Sequence, residues 1–206
     1  MNLKLFQSIK TDFIAVTKYL SPQEMAEIFP DLHTNSRCVG VGENRIKFVM
    51  EKNIPRNFCH FIGHLQSRDI SNIVHNCSFI HSVCEIHHYE KICQIAEKSQ
   101  QKIRIFFQIN ISHEPQKNGI LPSDVPEFLV SVAPSDWVEV VGISALGAAD
   151  ISKNEKQKEF QELKNIRDKF FRRKIISAGT SADWHIAQKE GIELLRIGRV
   201  LWDDEF

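Results

Sequence analysis

No stretch of the sequence carries the run of about 18 apolar residues that a membrane-spanning helix needs, and MNLKLFQSIK at the N-terminus lacks an apolar core long enough for a signal peptide. Neither membrane insertion nor secretion is expected, and the cytoplasm is the expected compartment. Charge of neither sign is in excess, since 26 Lys plus Arg balance 26 Asp plus Glu. That removes the basic field that a nucleic-acid backbone or an anionic lipid surface demands, so neither is an expected partner. The five cysteines, Cys38, Cys59, Cys77, Cys84 and Cys93, are odd in number and form no C-x-x-C pair. A disulfide framework and a structural zinc are both disfavoured, and buried reduced thiols are expected. Missing too is any Pro- or Ser-rich linker, composition break or tandem repeat, so residues 1–206 are expected to form one domain.

What is present is a rhythm of short apolar segments: DFIAVTK (12–18), RCVGVGEN (37–44), NFCHFIGH (57–64), SFIHSV (78–83), IRIFFQIN (103–110), VEVVGISALG (138–147), KIISAGTS (174–181) and LLRIGRVLW (194–202). They are too short for helices and alternate weakly, as strands buried on both faces do. Helical signals fill the intervals. Ser21-Pro22-Gln23-Glu24 reads as an N-cap, a first-turn proline and a capping glutamate. Arg45 to Lys52, Ser67 to Val74, Ile86 to Lys98, Pro122 to Ala133, Asn154 to Phe171 and Ala182 to Glu190 read as helices too, with Phe160, Leu163, Ile166 and Phe170 on one face. Eight strands alternating with helices, all eight treated alike, predict an α/β fold: a single closed (β/α)8 TIM-type barrel rather than an open doubly wound sheet.

In such a barrel chemistry gathers at the C-terminal strand ends. Lys18, Glu43, Asn44, His64, Asn110, Ser144, Thr180, Ser181, Arg196 and Gly198 all fall there. Alternation puts Lys18 on the face of Ile14 and Val16, where apolar walls favour the neutral amine that attacks an aldehyde. A salt-bridged or snorkelling lysine at a strand end would look the same. SAGTSAD after the seventh strand and Gly198 after the eighth offer hydroxyls and backbone N–H groups to a phosphate, or alternatively form an ordinary glycine turn and helix cap.

Several segments in order resemble the pyridoxal-phosphate homeostasis proteins, small single-domain relatives of the alanine racemase barrel and members of the PLP-binding barrel class. They are AVTK for A-V-S-K, Gly42-Glu43-Asn44, HFIGHLQS at His60 to Ser67, QINISHEPQKNG for N-x-S-x-E-x-x-K-x-G, SAGTSAD for G-M-S-x-D, and LLRIG at 194–198. The resemblance implies a protein that carries or buffers pyridoxal 5′-phosphate as a Schiff base on Lys18. It implies that Ser181, with the Gly198 and Arg199 backbone, binds the phosphate, with Thr180 and Ser144 at the site. Arg196 would face the pyridine nitrogen, Asn44 would sit beside the cofactor, and His64 would lie close. It also implies apo forms of PLP-dependent enzymes as partners and a monomeric, non-enzymatic protein. Where the family has a small hydroxyl residue this chain has Arg199, and where it has Met this chain has Thr180.

The rival reading is a PLP enzyme with weak racemase-like activity. The related racemases use a second base, a tyrosine, and here Tyr19 is expected to point away from Lys18 and Tyr89 lies in no matching segment. Metal binding is the other rival: His60 and His64 share a strand and His81, His87 and His88 are neighbours, but no carboxylate or cysteine completes a recognisable set, so no metal is expected. Lys117 reads as an exposed loop lysine, and Lys153 to Lys174 as the solvated face of a long helix.

Overall fold

The computed structural model describes residues 6, 8–114 and 116–202. Its strands are β1 (Asp12–Val16), β2 (Cys38–Glu43), β3 (Cys59–Phe61), β4 (Phe79–Val83), β5 (Ile103–Ile109), β6 (Val138–Ala145), β7 (Ile175–Ser177) and β8 (Leu194–Ile197). Between them run α1 (Pro22–Thr34), α2 (Ile46–Glu51), α3 (Ile70–Asn76), α4 (Ile86–Ser99), α5 (Val125–Val130), α6 (Lys153–Phe170) and α7 (Trp184–Lys189), and α8 (Arg199–Trp202) follows the last strand. The strands close in sequence order into a barrel, every neighbouring pair parallel, with β1 returning to β8 through Asp12 opposite Leu194 and Ala15 opposite Ile197. The (β/α)8 barrel expected from the rhythm of apolar segments is the observed fold.

Local chemistry explains the element starts. Ser21 and Glu24 form a reciprocal capping box on α1, and Ser152 and Glu155 form another on α6, each satisfying amides that the first helical turn leaves open. On α6, Phe160, Leu163 and Ile166 are buried against the strands and Phe170 is partly buried. Along β1, Phe13 and Ala15 join the large layer between strands and helices, while Ile14 turns inward to meet Phe106 and Leu194, with Val39, Phe79 and Val141 around them. That alternation divides the core into an outer shell and a barrel plug.

One expectation fails at the C-terminal end. LLRIGRVLW was read as a single strand, but β8 stops at Ile197 and Arg199–Trp202 is helical. The Leu201 amide donates to the Gly198 carbonyl, so the chain turns there, and the apolar run divides between two elements.

Candidate functional site

A cavity of about 560 Å³ opens at the C-terminal ends of the strands. It is lined by every residue the sequence singled out for cofactor contact: Lys18, Asn44, His64, Ser144, Thr180, Ser181, Arg196, Gly198 and Arg199. They come from six different strand ends, so only closure of the barrel brings them together. Glu43 and Asn110 do not reach it. Glu43 is buried beneath the β1 exit, and the Asn110 amide donates to the Glu114 and Lys117 carbonyls at 2.9 and 3.1 Å, folding the loop after β5.

Lys18 sits two residues beyond the end of β1, and the segment before it is fixed from three sides. The Thr17 hydroxyl donates to Glu43 Oε1 at 2.5 Å, Lys52 Nζ donates to the Thr17 carbonyl at 2.6 Å, and the Trp202 indole donates to the Val16 carbonyl at 2.8 Å. Lys52 and Glu43 are themselves an ion pair at 2.6 Å, with side chains 2% and 0% exposed. Gly63 is essential to the neighbouring wall, because a Cβ there would lie 2.0 Å from the Asn44 carbonyl oxygen.

Tyr19 overturns an expectation. It was expected to point away from Lys18, but strand alternation ends with β1 and the Leu20 amide closes a turn on the Thr17 carbonyl at 2.9 Å. Tyr19 therefore lines the cavity, with Lys18 Nζ 4.7 Å from its ring centroid. Hydrogen bonds from Lys18 and then Arg199 hold its phenol below the ordinary tyrosine range.

Across the cavity, Ser181 Oγ accepts from the Gly198 amide at 3.1 Å and the Val200 amide at 3.4 Å. Beside it the Thr180 amide and hydroxyl both donate to Asp183 Oδ1, at 2.6 and 3.0 Å. The other oxygen of Asp183 is 3.5 Å from buried Lys156, which also donates to the Ala148 carbonyl at 2.6 Å and to Glu159 at 2.8 Å. The loops after β6 and β7 are thereby tied to one ammonium.

Arg196 forms the inner wall. Its guanidinium is buried and bonded to the Ser177 and Ala145 carbonyls, each at 2.7 Å, with no carboxylate paired to it among the described residues. Burial lowers its pKa to about 10. The Ser144 hydroxyl donates to the His81 carbonyl, and Asn44 Oδ1 is buried with no hydrogen-bond partner. Among the described residues lining the cavity are three cationic side chains, Lys18, Arg196 and Arg199, and no Asp or Glu. Such a pocket is suited to an anion, and Lys18 adds an amine able to capture a carbonyl.

Among the lining residues that sequence reasoning did not assign to the cavity are Tyr19, Ile62, His81 and Gln108. Gln108 shares strand parity with inward-facing Phe106, a signal that could have found it; Tyr19 lies in a turn that carries no such signal. The histidines divide: His60 and His81 are inside the barrel, whereas Glu85 brings its carboxylate 3.5 Å from His87 and 3.6 Å from His88. That corrects the expectation that no carboxylate accompanies these rings. Glu85 and His87 are both more than two-fifths exposed, whereas His88 is buried. Lys117, expected as an exposed loop lysine, is partly buried, is tied to Glu114 at 2.5 Å and does not line the cavity. All five cysteines are free thiols, Cys38, Cys59 and Cys77 buried and Cys84 and Cys93 partly so.

Fold and cavity together define a closed parallel barrel carrying a lysine and a cationic pocket at its C-terminal mouth. The chain belongs to the family of the alanine racemase N-terminal domain, whose family model matches residues 2–205. It is 25% identical over 198 residues to the pyridoxal phosphate homeostasis protein of Helicobacter pylori, covering 93% of this chain and 86% of that one. With the protein of the same name from Bos taurus it shares 27% identity over 185 residues, covering 79% and 67%. Among solved structures, PipY of Synechococcus elongatus with PLP bound is similar at a TM-score of 0.83 and 22% identity, covering 98% of this chain and 97% of that one. Alanine racemase of Clostridium difficile is similar at a TM-score of 0.74 and 16% identity, this chain spanning 57% of its length. Among the described residues no helix is long and apolar enough to cross a membrane.

Proposed function

We propose that this protein binds pyridoxal 5′-phosphate at the barrel mouth, with Lys18 as the point of covalent attachment through a Schiff base, and that it carries or buffers the cofactor. The observation that carries this reading is the lysine at the edge of a cavity whose described lining holds three cations and no carboxylate. A phosphorylated aldehyde fits that donor set on both counts. Ser181 Oγ, accepting from two backbone amides, is a protein oxygen standing where a phosphate oxygen would be received. The orphaned Asn44 Oδ1 is a further polar atom awaiting a donor.

When bound, pyridoxal phosphate supplies an aldehyde that condenses with amines and a ring that withdraws electrons. Lys18 would hold the aldehyde carbon, Ser181 with the Gly198 and Arg199 backbone the phosphate, and Thr180, Ser144, His64 and Asn44 the surrounding walls. Arg196 offers N–H groups to the ring, and an arginine beside the ring nitrogen opposes its protonation, which weakens the ring as an electron sink. Rapid carbanion chemistry is therefore not the purpose of the pocket. The names of the relatives from Helicobacter pylori and Bos taurus and the PLP-bound state of PipY support a homeostatic role. Apo forms of PLP-dependent enzymes are the partners this role requires, and the working unit is a monomer in the cytoplasm.

The test is an absorption spectrum of protein loaded with pyridoxal phosphate before and after borohydride, with Lys18→Ala alongside. A reducible visible band that disappears in the variant supports the reading. The same band at full intensity in Lys18→Ala moves the attachment elsewhere. A second reading, weak amino-acid racemase-like activity, is favoured by Tyr19, which lies in the cavity beside Lys18 with a phenol held below its ordinary range. Conversion of L-alanine to D-alanine by loaded protein, lost in Tyr19→Phe, would support it.

A further inference from the structure

At the floor of the cavity, which Arg196 and His81 line, four side chains from four strands form a polar chain through an otherwise apolar plug. Arg196 directs one terminal nitrogen at the Ser177 carbonyl, 2.7 Å, and at Ser177 Oγ, 3.2 Å. Ser177 Oγ is 3.0 Å from His81 Nδ1, and His81 Nε2 is 2.9 Å from His60 Nδ1. His60 Nε2 is buried with no hydrogen-bond partner. All four side chains are buried. The rings are clamped as well as bonded: His60 stacks on Phe79 at 4.1 Å and 3°, and His81 on Phe106 at 4.1 Å and 16°. Room for His60 exists because Gly40 has no side chain; a Cβ there would lie 2.2 and 2.4 Å from ring atoms of His60.

The protons of this chain can be placed in one consistent order. A guanidinium only donates, so Ser177 Oγ accepts from Arg196 and has its own O–H to give. His81 Nδ1 is the acceptor in reach, which puts the His81 proton on Nε2. That proton goes to His60 Nδ1, which leaves the His60 proton on Nε2. Reversing the chain would leave the Ser177 O–H without an acceptor in this chain and His60 Nε2 as an unpaired lone pair, two unsatisfied buried groups where the first order leaves only the unpaired His60 Nε2–H.

We infer that Ser177, His81 and His60 are positioning residues that aim Arg196 into the cavity through this one-way chain of hydrogen bonds, both rings being neutral and protonated at Nε2. The arrangement orients a buried guanidinium with dipoles alone. Its N–H groups not engaged by Ser177 and Ala145 remain for a ligand, and no protein carboxylate cancels its charge. The step from an aimed arginine to cofactor affinity rests on the function proposed above; the proton order does not.

Two measurements test it. Long-range proton–nitrogen correlation spectra of nitrogen-15-labelled, ligand-free protein at neutral pH report the tautomer of each ring. Both rings as the Nε2–H form is the expected result, and an Nδ1–H or doubly protonated state of either overturns the chain. In parallel, pyridoxal phosphate is titrated into His81→Leu, His81→Asn and Ser177→Ala, with folding checked by circular dichroism. An asparagine carbonyl can replace His81 Nδ1 as acceptor from Ser177, so His81→Asn should stay within about threefold of the parent, while the other two weaken binding about tenfold. Equal losses in His81→Leu and His81→Asn would show that the ring only fills space and would refute the positioning role. Should the parent bind no pyridoxal phosphate, the cofactor reading fails and the ring tautomers alone decide the chain.

Discussion

Among the described residues three cationic side chains are enclosed, Lys52, Lys156 and Arg196, and the first and last are treated in opposite ways. Lys52 is paired to Glu43 at 2.6 Å and also donates to the Thr17 carbonyl. Arg196 is just as enclosed, yet the groups around it are two carbonyls and a serine hydroxyl. The first cation is cancelled and serves the scaffold, pinning the backbone one residue before Lys18. Arg196 keeps its field, at the cost of a pKa drawn down to about 10 by burial. A buried charge left without a counter-charge is a reason to look for one supplied from outside. The contrast teaches that burial alone does not distinguish a structural ion from a binding one; the identity of its partners does.

Breaking the structural ion should have the largest effect. Lys52→Met leaves Glu43 buried and unpaired, and such a loss destabilises by about 3–5 kcal/mol. Urea denaturation would read it, and Glu43→Gln combined with Lys52→Met should recover part of it; full stability in the single variant would show the pair to be solvated. Arg196→Leu should do the reverse, weakening pyridoxal phosphate binding on the order of 100-fold through lost charge-assisted hydrogen bonds of about 1.5–3 kcal/mol, with less damage to stability than Lys52→Met. Equal effects on folding and binding in the two variants would erase the distinction.

Smaller effects sharpen the description of the wall that holds Arg196. Gly40→Ala drives a methyl into His60 and should cost about 1–3 kcal/mol by overpacking. A further test uses pH. Burial holds the His60 ring down to about 3 from an ordinary 6.5, and the same cause lowers His81 well below its ordinary value. Above pH 6.5 these rings are neutral in both folded and unfolded chains and contribute no slope. As pH falls from 6.5 toward 3 the unfolded chain takes up protons that the folded one refuses, so stability declines, by at most about 1.4 kcal/mol per pH unit for each ring. Denaturation midpoints at pH 7 and pH 5 would show the slope, and His60→Gln should flatten it.

Much of this was legible in the sequence because it depends on local pattern. Strands buried on both faces read as short apolar runs, and a polar residue at the end of such a run is conspicuous, which is how Lys18, Ser144, Ser181 and Arg196 stood out. What could not be read depends on distant partners or on the breakdown of alternation. Nothing local tells that Lys52, after α2, meets Glu43 and Thr17. Tyr19 was misplaced because alternation was extended past Val16 into a turn. RVLW was misread because four apolar residues have no period of their own, and the Gly198 turn that separates them from β8 was taken only as a phosphate signal.

The central claim is that one amine, Lys18, anchors an anionic aldehyde opposite the Ser181 and Gly198 turn. Peptide mapping by mass spectrometry after borohydride reduction of protein loaded with pyridoxal phosphate tests it directly. The account predicts a reduced pyridoxyl adduct on the peptide containing Lys18 at near-stoichiometric yield. An adduct mapped chiefly to Lys117 or another lysine, with Lys18 unmodified, would contradict it.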